Sequence, residues 1–339
     1  MTSSNSLTNK RERQFRSLAL LTVLIIYLLV LAGGIVRGTG SGMGCPDWPK
    51  CFGRWIPPTE ASQLPHNYQE IYGAKLKGEV VFNATKTWIE YVNRLLGVLS
   101  GLFVLATLVA SIPYLKKNKL VFWGSLAAFL LIGVNGWLGS RVVATELAQY
   151  MISLHLLLAI LVVFSLLYVV VRSYDNVLQT YINDDQRTTL NGLILITILV
   201  STIQITLGAQ VRDALDEVVK RFGYDQRDNW ISNLDWRFYI HRSFSLIVLA
   251  LQVLVVYRLK KTRVEGILNT LSTAILAIIV VEIVTGAIMA YFTVPAAAQP
   301  IHLELAIIMI GMQFVAWLLL RPNIVSHKQV NQTPSLLNV

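Results

Sequence analysis

Trp88-Ile89-Glu90-Tyr91-Val92-Asn93-Arg94 and Trp236-Arg237-Phe238-Tyr239-Ile240-His241-Arg242 each open a long apolar stretch, 148 residues apart. The likeness continues outward from them. Asn135 and Gly139 match Glu282 and Gly286, and His155 matches His302, at an offset of 147. Upstream, Gly33-Gly34-Ile35-Val36-Arg37 matches Gly208-Ala209-Gln210-Val211-Arg212. An offset that persists through three successive pairs of stretches marks an internal repeat. Each copy holds four apolar stretches. An even number of crossings brings the chain back to its starting side, so the copies run parallel, related by an axis along the membrane normal.

The composition makes these stretches membrane spans. Of 339 residues, 54% are hydrophobic and only 14% charged, and the mean hydropathy is +0.56. Apolar runs of about twenty residues suffice to cross a hydrocarbon core as helix. Spans are expected at Ser17–Val36, Trp88–Ile112, Leu120–Leu138, Tyr150–Val171, Thr189–Val211, Phe238–Leu259, Leu268–Tyr291 and Ala297–Leu320. Disorder, a secreted disulfide scaffold and an ordinary cytosolic enzyme are excluded. The first span follows Lys10, Arg11, Arg13 and Arg16, as a signal peptide would. Its apolar run is too long for one and no small-residue cleavage site follows, so it is read as a retained helix. The predicted fold is all-α and integral to the membrane: eight transmembrane helices in two parallel-repeat four-helix bundles. Its parts are an N-terminal tail (1–16), a first bundle (17–172) with a long connection (37–87), a linker (173–188), a second bundle (189–320) and a C-terminal tail (321–339).

Charge sets the orientation. Lys116, Lys117 and Lys119 follow the second span, and Arg258, Lys260, Lys261 and Arg263 follow the sixth. The positive-inside rule places these turns, the linker and both termini in the cytoplasm, the membrane being the plasma or inner membrane. The net charge of +10 then belongs beside anionic lipid and implies no nucleic-acid partner. The connections Arg37–Thr87 and Arg212–Arg237 face outward. Both cysteines, Cys45 and Cys51, lie in the first. Two thiols are too few for a zinc ribbon or an all-cysteine iron–sulfur cluster, and a disulfide is chemically allowed on the oxidising side.

Of five histidines, His66 and His327 fall in a loop and a tail and read as solvated residues. His155, His241 and His302 lie inside spans, where ionisable groups are costly and functional by default. His241 and His302 sit at matching depth, about five residues into helices running the same way. Two imidazoles across a bundle core suit the axial positions of a haem iron. The plainer reading is two buried histidines bonded to backbone carbonyls. The first copy keeps His155 but has Asn93 in place of His241, and Asn is a poor iron ligand. That site either holds a haem through His155 alone or has decayed. Glu90 lies one helical turn from Asn93, and its counterpart in the second copy is not a carboxylate. It suits a general base or the stabiliser of a cationic intermediate; alternatively it pairs with Arg94 or Arg141. Arg37, Arg94, Arg141, Arg212 and Arg242 all lie near outer helix ends, where they can bind haem propionates or snorkel to the interface. Glu282 and Glu304 are also intramembrane; a hydrogen bond to a ligating histidine or an arginine is the usual arrangement for such groups.

Gly33-Gly34-Ile35-Val36-Arg37-Gly38-Thr39-Gly40-Ser41-Gly42, Gly44-Cys45-Pro46-Asp47-Trp48-Pro49-Lys50-Cys51 and Glu90-Tyr91-Val92-Asn93-Arg94 resemble the haem A synthase family of bacteria and mitochondria. The likeness runs from about residue 17 to 320. It implies oxidation of a methyl group of haem O to the formyl group of haem A. It implies a resident haem B on His241 and His302, with Arg212 and Arg242 as propionate candidates. It also implies a substrate haem beside His155, Asn93, Arg94, Arg37 and Arg141, with Glu90 catalytic. A haem O synthase as substrate donor, an electron donor that the sequence does not name, and assembly of a terminal oxidase are implied as partners. Many members have His where this chain has Asn93, and some carry a second cysteine pair in the connection equivalent to Arg212–Arg237. A Cys45–Cys51 disulfide is expected, as a staple of the outer loop or, as the family suggests, in a redox role.

Two other functions compete: a membrane b-type cytochrome that carries electrons, and a parallel-repeat transporter. Asn93 weakens one bis-histidine site and so speaks against a two-haem wire. The helix centres have few acids and few Pro/Gly breaks, which speaks against an ion pathway.

Overall fold

A computed structural model describes residues 2–73, 81–174, 184–223, 225–261 and 266–321. Most of the 173–188 linker, the 322–339 tail with His327, and Arg263 lie outside those residues. The described chain is helical, with a single isolated backbone bridge between Cys51 and Arg54. Its helices are α1 (Thr2–Gly38), the short α2 (Tyr68–Tyr72), α3 (Ala84–Ser111), α4 (Lys119–Ala144), α5 (Gln149–Arg172), α6 (Asp184–Phe222), α7 (Trp236–Lys261), α8 (Ile267–Tyr291) and α9 (Ala298–Leu319). Eight of them are long and apolar enough to cross a membrane. The chain is a multi-pass membrane protein, and each hydropathy block of the sequence coincides with one of these helices, the second and eighth blocks overrunning α3 and α9 by a single residue at an end.

Helix ends differ from the blocks where packing or capping rather than lipid decides them. Helix α1 starts well before Ser17, and its basic turn is held: Arg16 donates to the carbonyl of Ser173 at 2.9 Å and pairs with Glu12 at 3.3 Å. Helix α3 begins where Asn83 accepts the amide of Lys86 at 3.0 Å, a side-chain N-cap. Helix α6 runs past Val211 to Phe222, through what the sequence marks as loop. The extension is amphipathic. Ala214, Leu215 and Val218 are buried against Trp230, Leu234 and Val294, so a small apolar core outside the span continues the helix.

The interior is built as in other helical membrane proteins. Apolar side chains face outward to lipid, as with Leu24 (55% exposed) and Leu246 (68% exposed). The inner faces carry small and polar residues that bond between helices. Thr22 of α1 meets Thr107 of α3 at 2.8 Å. Gln252 of α7 donates to Ser201 of α6 at 3.0 Å and accepts from Gln313 of α9. Helices α1, α3, α4 and α5 contact one another in a closed ring, as do α6, α7, α8 and α9. The rings meet where α1 and α5 pack on α9 and α5 packs on α6. Ile160, Ile205, Ile307 and Ile310 fill this seam, with Phe164 stacked on Phe314 at 4.4 Å.

At the end of the seam beside the disulfide loop, contacts between the halves are ionic. Arg37 closes α1 and pairs with both Asp213 and Asp216 of α6, the latter at 2.7 Å. Arg212, the repeat mate of Arg37, reaches Asp216 at 2.7 Å, Gln299 at 2.8 Å and the carbonyl of Arg37 at 2.9 Å. Removing Arg37 leaves Asp213, whose side chain is only 13% exposed, without its principal counter-charge. Arg37→Leu is expected to cost roughly 2 kcal/mol. It should lower the thermal unfolding midpoint of the detergent-purified protein; an unchanged midpoint would show that the ionic seam contributes nothing.

Candidate functional site

Four positions repeat one local geometry. A Cβ added at Gly208 of α6 would lie 3.1 Å from Cε1 of His241 on α7, and one at Gly286 of α8 would lie 3.6 Å from Cε1 of His302 on α9. In the first half, a Cβ at Gly139 of α4 would lie 3.3 Å from Cε1 of His155 on α5, and one at Gly33 of α1 would lie 4.0 Å from Oδ1 of Asn93 on α3. Each candidate ligand therefore lies beside a glycine of the neighbouring span, and at Gly208 and Gly139 even a Cβ would press on the ring. The glycines occupy repeat-related positions, so both halves build the same cradle.

His302 is oriented through Nδ1. His302 Nδ1 lies 2.8 Å from Oε2 of Glu282 and 2.9 Å from Oγ1 of Thr285, both on α8. Nδ1 of His241 and Nδ1 of His155 are buried without a hydrogen-bond partner, in rings that lie beside the backbone of Gln204 and of Asn135. Gln204 in turn donates to the carbonyl of His241 at 3.0 Å. In His302 the fixed Nδ1 leaves Nε2 to bind a metal, as is usual for metal-ligating histidine. His302 also lies within electrostatic reach of His241.

This arrangement fits haem better than a bare ion. Among the described residues, no group of three or more His, Cys, Asp or Glu converges on a point that would hold a metal ion. A porphyrin brings four nitrogens and asks the protein for only one or two ligands. The buried, unpartnered Nδ1 atoms of His155 and His241 and Oδ1 of Asn93 line such sites without another evident use.

Glu90 belongs to a different construction. It is buried (4% exposed) on α3, and at the constant offset its counterpart in the second half is Phe238. Its Oε2 accepts the amide of Cys45 at 2.8 Å and its Oε1 pairs with Arg94 at 2.5 Å. Arg94 donates onward to the carbonyls of Asp47 (2.7 Å), Lys50 (3.0 Å) and Cys45 (3.1 Å). Cys45 and Cys51 form a disulfide. Both sulfurs are buried beneath Phe52 and Leu64, with Tyr68, Tyr72, Phe82 and Tyr91 packed on them. Gly44 brings the loop against α3, where a Cβ would come 2.5 Å from the carbonyl of Lys86. The carboxylate and the arginine one turn along thus clamp the disulfide loop over the outer end of the first half.

The five arginines separate into three kinds. Arg37 and Arg212 lock the seam, and Arg94 holds the loop. Arg141 and Arg242 are exposed and make no ion pair among the described residues. Of the two alternatives for the partner of Glu90, the structure forms the pair with Arg94. Asp213 and Asp216 were missed in the sequence, although both lie within one helical turn of Arg212. Glu282 was seen without a role; Thr285, one turn from it on the same face, is the other half of its site. Glu304 is 8% exposed, with Oε2 unpartnered beside Tyr27 of α1.

Fold and site define a helical membrane protein with a matched pair of inward ligand sites, one under each half. The chain belongs to the COX15-CtaA family, described as cytochrome oxidase assembly protein, whose pattern matches residues 16–314. A haem A synthase of Bartonella bacilliformis is 32% identical over 174 residues, about half of either chain (47% of this one and 48% of that one). Haem A synthases of Bartonella tribocorum (25% identical, 91% of this chain and 93% of that one) and Rickettsia prowazekii (24% identical, 86% and 93%) align over nearly the whole length.

The glycine cradle is open to a direct test. Gly208→Leu must push the His241 ring from its place, whereas Gly192→Leu on the same helix enters open space. Gly208→Leu is expected to lower the haem content of the purified full-length protein, and Gly192→Leu to leave it unchanged. Equal haem content in the two variants would refute the cradle.

Proposed function

We infer that this chain is a haem A synthase, oxidising a methyl group of haem O to the formyl group of haem A. The observation that carries this reading is the asymmetry between two otherwise matched sites. The second half offers two imidazoles, His241 and His302. The first offers one, His155, and alone has a carboxylate, Glu90, three residues before the ligand position that Asn93 takes. One site is equipped to keep a haem and the other to hold and alter one.

The surroundings of the histidines support this division. Glu282 sits on Nδ1 of His302 and makes it a more basic, firmly oriented ligand. The repeat mate of Glu282 is Asn135, so His155 has no anionic partner and suits a haem that must leave again. Haem B on His241 and His302 would supply one-electron transfer. Glu90 is the proton-accepting or charge-stabilising group for the substrate methyl. Arg94 holds the carboxylate in place, and the disulfide loop covers the outer end of the site and keeps water from it. Arg141 and Arg242, exposed at outer helix ends, are the guanidiniums free to meet propionates, while Arg37 and Arg212 fix the two units, 17–172 and 189–320, against each other. Termini and basic turns are cytoplasmic, and both sites open toward the outer face. A haem O synthase as supplier, a terminal oxidase as consumer of haem A and a separate electron donor complete the reading. The substrate, cofactor and partners come from the family likeness and from the chemistry of these residues.

Two variants separate the roles. Glu90→Gln keeps the shape and an acceptor oxygen but loses the charge. Coexpressed with a haem O synthase, it is expected to retain haem B and accumulate haem O or a partly oxidised haem, with haem A output reduced by about 100-fold or more. Chromatography of the extracted haems reads the result, and normal haem A output would leave Glu90 as only a clamp on the loop. His241→Ala and His302→Ala should each remove the low-spin haem B spectrum; if both keep it, the axial pair is misassigned.

A further inference from the structure

We propose that Asn93 leaves one face of the substrate haem iron open as a binding site for a small exogenous ligand, which the Asn93 amide contacts by a hydrogen bond. This rests on the reading of the first half as the substrate-haem site.

The inference starts from the shapes of two side chains at one position. Asn93 and His241 are repeat mates, and each lies against the matched glycine of the preceding helix, Gly33 and Gly208. Asparagine ends at Oδ1 and Nδ2, atoms that correspond to Nδ1 and Cδ2 of an imidazole. The outer ring atoms Cε1 and Nε2 have no counterpart, and Nε2 is the atom that would reach the iron. A neutral amide is a poor iron ligand. The exchange therefore removes the bond and also vacates the volume of two ring atoms on the line to the iron. That volume suits a water molecule, carbon monoxide, cyanide or another molecule of two heavy atoms.

The remaining parts of the site favour occupancy of the gap rather than collapse. Oδ1 of Asn93 is buried and unpartnered, and a buried acceptor in that state is destabilising until it is bonded. An iron-bound water would donate to it, and the amide N–H₂ would donate to a diatomic or anionic ligand. Helix α3 is fixed from outside by the Arg94–Glu90 clamp and from inside by the Thr22–Thr107 contact with α1. His155 and its glycine cradle are intact on the opposite helix pair. The two halves then differ in kind: His241 and His302 close both faces of their iron, whereas His155 closes one.

Carbon monoxide tests this with a readout independent of turnover. The full-length protein, purified from cells coexpressing a haem O synthase, is reduced with dithionite and titrated with carbon monoxide. The oxidised protein is examined by electron paramagnetic resonance. The expected result is a high-spin ferric signal from one haem and a carbon monoxide spectrum from the same haem, with the low-spin haem of the second half unresponsive. Asn93→His should convert the responsive haem to low spin and abolish carbon monoxide binding, while the second-half spectrum reports that the variant is folded. Should Asn93→His not fold, the wild-type titration and spin state decide alone. A wild-type protein with two haems, both low-spin and inert to carbon monoxide, would overturn the open face but leave the substrate site standing. A protein that holds only the low-spin haem, even with haem O supplied, would overturn both.

Discussion

An imidazole can reach a metal between two helices only if the neighbouring helix makes room for the ring. In this protein that room is made by glycine, once for each candidate ligand: Gly33, Gly139, Gly208 and Gly286. Much else follows from the contact. It brings α1 against α3, α4 against α5, α6 against α7 and α8 against α9, which are also the neighbour pairs of the two helix rings. It also fixes the depth of the ligands, because ring and glycine must stand at one level on antiparallel neighbours. The site and the fold thus share one contact, repeated four times and sterically tight at Gly139 and Gly208.

Within that shared frame the halves have diverged through a few side chains. Glu282 in place of Asn135 gives one histidine a charged partner, Asn93 in place of His241 puts an amide where the other half has an imidazole, and Glu90 in place of Phe238 puts a carboxylate where the other half has a ring. The outer ends differ just as much. The first half is covered by a loop closed by the Cys45–Cys51 disulfide and bonded to α3. The second is covered by the extension of α6 and its apolar contacts with Trp230, Leu234 and Val294. Tight apolar packing holds the second cover together without cysteines.

The repeat, the eight spans and the candidate intramembrane histidines were legible because they rest on hydropathy and on residue types that are costly inside a membrane. The histidines stood out for that reason, and so did Glu90 and Asn93 once the copies were aligned. What could not be read was partnership. Arg37, Arg94 and Arg212 looked alike in the sequence, as basic residues at outer helix ends. Only packing sends Arg37 to Asp213 and Asp216, and Arg94 to the carbonyls of the disulfide loop. The end of α6 escaped notice for a related reason. Hydropathy reports where lipid stops, and the helix persists beyond that point because Leu215 and Val218 find apolar partners outside the membrane.

Gly33 and Arg37 lie one turn apart on α1, and Gly208 and Arg212 lie one turn apart on α6. Each helix is thus a stiff rod with a ligand-backing glycine just inside the membrane and a seam-locking arginine just above it. The arginines tie the two rods together through the shared aspartates. Electron tunnelling between redox centres slows steeply with every ångström of separation. In the two-haem arrangement proposed here, the ionic knot at the tops of α1 and α6 is therefore a spacer: it sets how far apart the two centres stand, and with that distance how fast one can oxidise the other.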